Sequence, residues 1–366
     1  MEKLLVNDKT MHALHGKMEL LAEKIIAAAR NGNSFAIRYH NDCDGVCAGL
    51  SVYLAIKAVF PQTPIQSLPS DSPVYSVEKA MFELSEFGLP EETFAIIVDH
   101  ASGPESMDAL KLLRGSGVTI AVIDHHPHDL RVEKIANYFI SPLSEGGSSS
   151  HCAGLLCYEL ARLIDKESAD ENLAYFAMQS DKSSFGNHSK EYKEAIALDY
   201  ATHYKELNLP FYLRFLKSKE MVAEAYLQAK EKIENAMKLS EKYTEVRDFG
   251  AYFVVISKVS KFLRKKEYPP RGKVMNEIIA KKERELTKPI VCLGITEEGI
   301  SFRATSEILK MGFDANLLIQ ELKKTFPAEI LNGGGHAVAA SLLATPESLP
   351  LIVAQTLELI GKQLKK

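Results

Sequence analysis

Three apolar runs punctuate the first third of the chain: Phe35-Ala36-Ile37, Phe94-Ala95-Ile96-Ile97-Val98 and Val118-Thr119-Ile120-Ala121-Val122-Ile123. Their length and β-branched content predict strands buried on both faces, as in a parallel sheet. Between and after them the apolar spacing changes to that of helices. One runs from Val46 to Phe60 and stops at Pro61; another opens at Pro104-Glu105, reaches Leu113 and ends at Gly115-Ser116-Gly117. A loop rich in Gly and Ser, 145–150, precedes a helix from Cys152 to Ile164, and a further helical pattern covers Glu171 to Met178. Residues 1–190 therefore read as an α/β domain of strand–helix–strand units. From 191 to 246 the pattern is amphipathic helix without strand signals, with Met221, Ala225, Leu227 and Ala229 set among Lys and Glu, which predicts a helical connector. Residues 247–366 return to runs of strand length at Ala251–Ile256, Pro289–Ile295 and Gly299–Arg303, with helices at Asn316–Phe326 and Leu349–Leu364. The expected fold is α/β: a parallel-sheet catalytic domain joined by the connector to a smaller α/β domain.

Composition narrows the class without naming a chemistry. With 366 residues and 46% hydrophobic content, the chain can bury more than one core. No apolar run approaches the roughly twenty residues of a spanning helix, and Met1-Glu2-Lys3 opens no signal-peptide pattern, so a cytoplasmic protein without membrane contact is expected. The five cysteines, Cys43, Cys47, Cys152, Cys157 and Cys292, form an odd set with no Cys-x-x-Cys; packing is their expected role. A net charge of −4 excludes a wholly basic nucleic-acid binder. It leaves room for a local patch. Lys258, Lys261, Arg264, Lys265, Lys266, Arg271, Lys273, Lys281, Lys282, Arg284 and Lys288 outnumber the acids Glu267, Glu277, Glu283 and Glu285 in one stretch, which can track the backbone of a long strand or be ordinary solvated surface.

Chemistry gathers where the three runs end. Arg38-Tyr39-His40-Asn41-Asp42-Cys43-Asp44-Gly45 follows the first, Asp99-His100 the second and Asp124-His125-His126 the third, with a lone Asp181 later. Ligands of open α/β sheets bind beyond the carboxyl ends of the strands, so these acids can converge. Read singly, Asp42-Cys43-Asp44-Gly45 is also what a solvated turn looks like, and Asp181 what ends a helix. His125 and His126, as neighbours on an extended segment, are expected to point apart and to take different roles. For His100, His128, His151 and His188 a surface or supporting position is expected. A carboxylate–imidazole set without thiolate suits Mn²⁺ or Mg²⁺, and a pair of such ions suits phosphodiester hydrolysis. Near the C-terminus, Asn332-Gly333-Gly334-Gly335-His336 can bring bare backbone N–H groups, with or without a helix N-terminus, against a phosphate or nucleotide, or can be a flexible loop.

In order and separation these motifs resemble the DHH phosphoesterase family with its DHH-associated C-terminal domain, and the His40-Asn41-Asp42-Cys43-Asp44-Gly45 opening is most similar to the archaeal RecJ-like branch. The resemblance implies that Asp99 bridges two metal ions. It implies that His40 and Asp42 hold one ion, that Asp44, His125 and Asp181 hold the other, and that His126 contacts the scissile phosphate while Asp124 orients a histidine. Ser301 and Arg303, with Gly333, Gly334, Gly335 and His336, are implied as the substrate grip. The implied cofactor is two Mn²⁺ ions, with Mg²⁺ as the alternative. The implied substrate is single-stranded DNA or RNA, cut by an exonuclease. Very short oligonucleotides or cyclic dinucleotides are the alternative, and a replication scaffold that has lost its ligands is the non-enzymatic one. Replication or repair proteins are the partner class the resemblance admits.

Overall fold

The computed structural model describes residues 3–72, 74–86, 90–187, 189–204, 207–335 and 337–364. They form two compact units, Met1–Leu227 and Gln228–Lys366. The first unit runs α1 (Lys9–Arg30), β1 (Ser34–His40), α2 (Cys43–Val59), β2 (Ile65–Ser70), α3 (Val77–Glu86), β3 (Thr93–Val98), α4 (Met107–Gly115), β4 (Thr119–Ile123), α5 (Leu130–Ile135), β5 (Tyr138–Ile140), α6 (Ala153–Ile164), α7 (Glu171–Ser180), α8 (Lys193–Tyr204) and α9 (Leu209–Lys217). Its five strands pair in parallel in the order β2-β1-β3-β4-β5. All three apolar runs expected as strands lie in this sheet. Alternation along β1 divides the core: Phe35, Ile37 and Tyr39 join the layer of α1, α2 and α6, while Ala36, with Ala95, Ile97, Ile120 and Val122, faces α3 and α4.

The boundary between units falls inside α10 (Lys219–Lys242). Part of the segment expected as a helical connector packs into the first unit. Ala197 and Leu198 of α8 and Tyr212 and Phe215 of α9 are buried in the first unit's core. Tyr212 Oη donates to Asn41 Oδ1 at 2.8 Å, and Asn41 Nδ2 to the Thr202 carbonyl at 2.9 Å, so these helices hold the segment that follows β1.

The second unit continues with β6 (Thr244–Asp248), β7 (Phe253–Lys258), α11 (Arg271–Glu285), β8 (Ile290–Ile295), β9 (Gly299–Ala304), α12 (Ser306–Lys310), α13 (Ala315–Thr325), β10 (Ile330–Gly335), β11 (Ala339–Ala344) and α14 (Leu349–Gln363). Its sheet has the order β10-β11-β9-β8-β7-β6, with only β7 and β8 parallel. Two elements differ from expectation. β6 begins inside the stretch read as helical; its Glu245, Arg247 and Asp248 are exposed, and a charged edge strand shows no apolar alternation. The glycines 333–335 lead into no helix N-terminus but form edge strand β10, paired with β11. Among the described residues no helix is long and apolar enough to cross a membrane.

Candidate metal centre

The site grows from the carboxyl edge of the first sheet. α2 starts immediately after β1, and a Cβ at Gly45 would collide with the His40 carbonyl, so only glycine lets the helix begin there. Asp42 caps the helix, its Oδ1 accepting from Gly45 N at 2.9 Å, and Asp44 sits in the first turn. The two carboxylates part company at this point. Asp42 Oδ2 lies 2.7 Å from His40 Nδ1, and Asp99 Oδ2 lies 3.5 Å from the same nitrogen. Asp44 Oδ2 instead lies 3.6 Å from His125 Nε2, which is also 3.3 Å from Asp181 Oδ2 and 3.2 Å from Asp99 Oδ1.

Asp99 is thus common to both sides, one oxygen toward His40 and the other toward His125. Three overlapping donor groups result: His40, Asp42 and Asp99; Asp44, His125 and Asp181; and Asp99, Asp124, His125 and His126, each with one ligand atom per residue within 4.8 Å of the others. Every residue the sequence proposed for the metals is brought together here. His125 and His126, just past the end of β4 at Ile123, do not diverge as expected. Their rings stand edge to face with centroids 4.4 Å apart.

Donors of the surrounding structure hold the side chains in place. Asp44 is fully buried and accepts from the first two backbone amides of α6, Ala153 N at 2.9 Å and Gly154 N at 2.7 Å. A Cβ at Gly154 would collide with Ala177 and crowd Asp44 Oδ1. Asp124 Oδ1 accepts from His126 Nδ1 at 2.8 Å while its Oδ2 takes the Ser102 hydroxyl at 2.5 Å. The Asp124 contact leaves His126 Nε2 for the cleft, and 42% of that side chain is exposed. His125 Nδ1 donates to the Ser149 carbonyl at 2.7 Å, which leaves Nε2 to the acids.

Ser149 belongs to the Gly/Ser loop that the sequence marked only as a loop. Its C-terminal end is held by distant partners. His151 is buried and bonds Asp8 Oδ2 at 2.8 Å, and Ser183 donates to the Ser150 carbonyl at 2.6 Å, tying the loop to the segment after Asp181. Sequence reading had no means to find these partners, since the contacts span 143 and 33 residues. His100 and His151 are buried supports rather than surface residues, and His128 sits against Ser141, Ser144 and Phe139. His188 lies outside the described residues.

Four carboxylates meeting in one cleft repel one another. Burial, then the charges of Asp181 and Asp99, push the Asp44 carboxyl well above the usual range; burial likewise moves Asp181 up to about 7. Burial opposes charge on the imidazoles too, yet Asp42 and Asp99 raise His40 to about 11, and Asp124 and Asp99 raise His126 to about 9. The His40 charge in turn holds Asp42 below the carboxylate range against its burial. Asp99 Oδ1 and His40 Nδ1 are buried, and their close carboxylate and imidazole contacts are not aligned as hydrogen bonds. Such orphaned donors, with oxygen and imidazole nitrogen and no thiolate, fit divalent cations of the Mg²⁺ and Mn²⁺ kind.

The residues expected to grip substrate lie in the second unit. Gly334, Ser341 and Ser301 stand in register across β10, β11 and β9, and Arg303 pairs with Ala339. Arg303 Nε donates to Asn276 Oδ1 at 2.7 Å and Lys323 Nζ to the Gly333 carbonyl at 2.6 Å. Gly335 has a φ of 141°, which favours glycine. His336 lies outside the described residues. Five of the eleven basic residues in the stretch hold acids: Lys265 pairs with Glu298 at 2.8 Å, Arg271 with Glu297 at 3.0 Å, Lys288 with Asp248 at 2.7 Å, Lys282 with Glu285 at 2.5 Å, and Lys281 with Glu241. Four of these acids, Glu241, Asp248, Glu297 and Glu298, lie outside the stretch, where a local charge count misses them.

Comparison with known proteins bears on the fold. An uncharacterized protein of Methanocaldococcus jannaschii is 27% identical over 99% of this chain, which spans 56% of that relative's length. In solved structures, a DHH domain described as belonging to a member of a family of ribosomal proteins matches 98% of this chain and 93% of its own with a TM-score of 0.89 at 23% identity. The exonuclease RecJ bound to manganese matches 98% and 96% with a TM-score of 0.64 at 14% identity. Residues 34–180, the segment that carries β1 to β5 and all but one of the clustered acids, match the model of the DHH family, N-terminal domain. The likeness to the DHH family, N-terminal domain, thus covers the segment that holds the clustered acids up to Ser180.

Proposed function

We propose that this chain is a two-metal phosphodiesterase that hydrolyses single-stranded nucleic acid in the manner of a RecJ-like exonuclease. The observation that carries this reading is Asp99, whose two oxygens face two separate donor groups. In it, His40 and Asp42 hold one ion and Asp44, His125 and Asp181 the other, with Asp99 shared. Mn²⁺ fits the imidazoles best and Mg²⁺ is the alternative; such a pair supplies an activated water and neutralises the phosphate oxygens.

The chain's own groups do the rest. His126, held by Asp124 with Nε2 toward the cleft, donates to the scissile phosphate or the leaving oxygen. Asp124 keeps that imidazole in one tautomer and stabilises its charge. In the second unit Ser301, Arg303, Gly333, Gly334, Gly335 and His336 capture the strand. Replication or repair proteins are the partners consistent with such an activity.

A second reading is favoured by the ion pairs of the basic stretch. A surface on which five basic residues already hold carboxylates offers less to a long polyanion, which suits very short oligonucleotides or cyclic dinucleotides. The test is hydrolysis by the metal-free chain supplied with Mn²⁺, comparing end-labelled DNA and RNA strands, a dinucleotide and a cyclic dinucleotide. Cleavage of long strands from one end is the expected result. Turnover of the dinucleotide or cyclic dinucleotide alone would establish the second reading, and no turnover with bound Mn²⁺ would remove both.

A further inference from the structure

A charge stands where the first sheet needs none. Arg38, in the middle of β1, points into the layer formed by Ala36, Ala95 and Ile97, and only 2% of it is exposed. Its guanidinium is shared out among three neighbours. One nitrogen bonds Glu83 of α3, Nε donates to His100 Nε2 at 3.1 Å, and the plane lies over the Tyr75 ring at 4.1 Å. Tyr75 in turn donates its hydroxyl to Glu83.

His100 sits between two residues in left-handed backbone conformation, Asp99 at φ 56° and Ala101 at φ 70°. Side chains other than glycine enter that region reluctantly, and such turns persist where the surroundings over-determine them. Backbone support is present on one side, where Asp99 N donates to the Ile123 carbonyl at 2.9 Å. Arg38 supplies support through the His100 ring.

We propose that Arg38, braced by Glu83 and Tyr75, is a positioning residue that locks the turn at 99–101 through His100 and so aims Asp99 between the two donor groups. This rests on the metal reading given above. The bland alternative is a core ion pair kept for stability. It is the weaker account, because buried pairs are commonly replaced by apolar residues without loss.

Two variants separate the accounts. Arg38→Lys keeps a charge for Glu83 but has no planar fork to reach His100 as well. Arg38→Met/Tyr75→Phe/Glu83→Met removes the whole cluster at similar volume. In the metal-free wild type, imidazole ¹⁵N NMR is expected to show His100 as the neutral ring with Nε2 unprotonated, accepting from Arg38, and in both variants that signature is lost. Calorimetric titration with Mn²⁺ is expected to show affinity about 10-fold to 100-fold weaker in both, with the metal-free unfolding midpoint of the triple variant no lower than wild type.

An unchanged His100 signature in Arg38→Lys overturns the proposal, as does Mn²⁺ affinity within twofold of wild type. Weaker Mn²⁺ binding accompanied by an equally lowered midpoint in both variants favours the stability account instead. Absence of Mn²⁺ binding in the wild type counts against the metal reading, a failure distinct from either of these.

Discussion

The carboxyl edge of the first sheet and the basic stretch of the second unit are both crowded with charge, and they treat it in opposite ways. At the sheet edge Asp44 and Asp99 are almost wholly buried beside Asp42 and Asp181, and the crowding raises the proton affinity of Asp44, Asp181 and His40. Along 258–288 the charges are mostly exposed, and five of the basic residues hold carboxylates in ion pairs. Exposed pairs of that kind contribute little, typically about 0–1 kcal/mol. The difference teaches which cluster was built for a partner. Like charges held together without water are costly unless something arrives to join them.

The largest expected effect comes from the shared acid. Asp99→Ala should release at least one Mn²⁺ and lower kcat by more than tenfold, beyond about 1.4 kcal/mol of transition-state stabilisation. The fold should survive, since the residue ends a strand whose apolar side chains remain. Elemental analysis and single-turnover kinetics decide it. A variant that keeps both ions and more than roughly a tenth of the rate would remove Asp99 from the shared position.

Proton competition gives the next effect, and its sign follows from the raised values. Asp181, moved from 3.8 to about 7, keeps in the folded metal-free chain a proton that the unfolded chain releases, so its contribution falls as pH rises through that window. His126 and His40, raised from 6.5 to about 9 and about 11, contribute stability that is complete below 6.5 and lost as pH climbs through those values. The metal-free fold therefore weakens from pH 6 to pH 9. Mn²⁺ displaces the same protons, so the rise in unfolding midpoint on adding it should grow over that range. A metal-induced shift independent of pH would break the comparison, because the edge would then hold no protons for a cation to replace.

Substrate capture is expected to be separable from the metals. Arg303→Ala and His336→Ala should raise KM while leaving bound Mn²⁺ unaltered. Loss of metal in either variant contradicts that division.

How much of this was legible in the sequence depends on how far apart the partners lie. Asp42, Asp99, His125 and their companions could be read because buried parallel strands advertise themselves as apolar runs and the residues just past them must share one edge. Asp181 was legible only through the family resemblance, having no strand before it. The amides of Ala153 and Gly154, the Ser149 carbonyl and Glu83 act on the site from segments that carry no motif. Their roles appear only once the chain is folded. Edge strands β6 and β10 escaped for a different reason: Val246 is the lone apolar residue of the first and three glycines end the second, so neither shows the apolar run of a buried strand.

The smallest effect is expected where the sequence looked most suggestive. Each lysine that neutralises a phosphate of a single strand steepens the salt dependence of binding by about 0.7 on a log–log plot. Lys265, Lys281 and Lys282 already hold Glu298, Glu241 and Glu285. Replacing these three lysines and Lys266 by Gln, together with the three acids so that none is left alone, should therefore flatten the slope for a long single strand by less than the about 0.7 of one contact. Dinucleotide hydrolysis should not change. A flattening near four contacts, together with weaker long-strand binding, would mean that the strand displaces the carboxylates and that the basic stretch is a binding track. A slope that does not move leaves it as compensated surface and shifts the weight toward very short substrates.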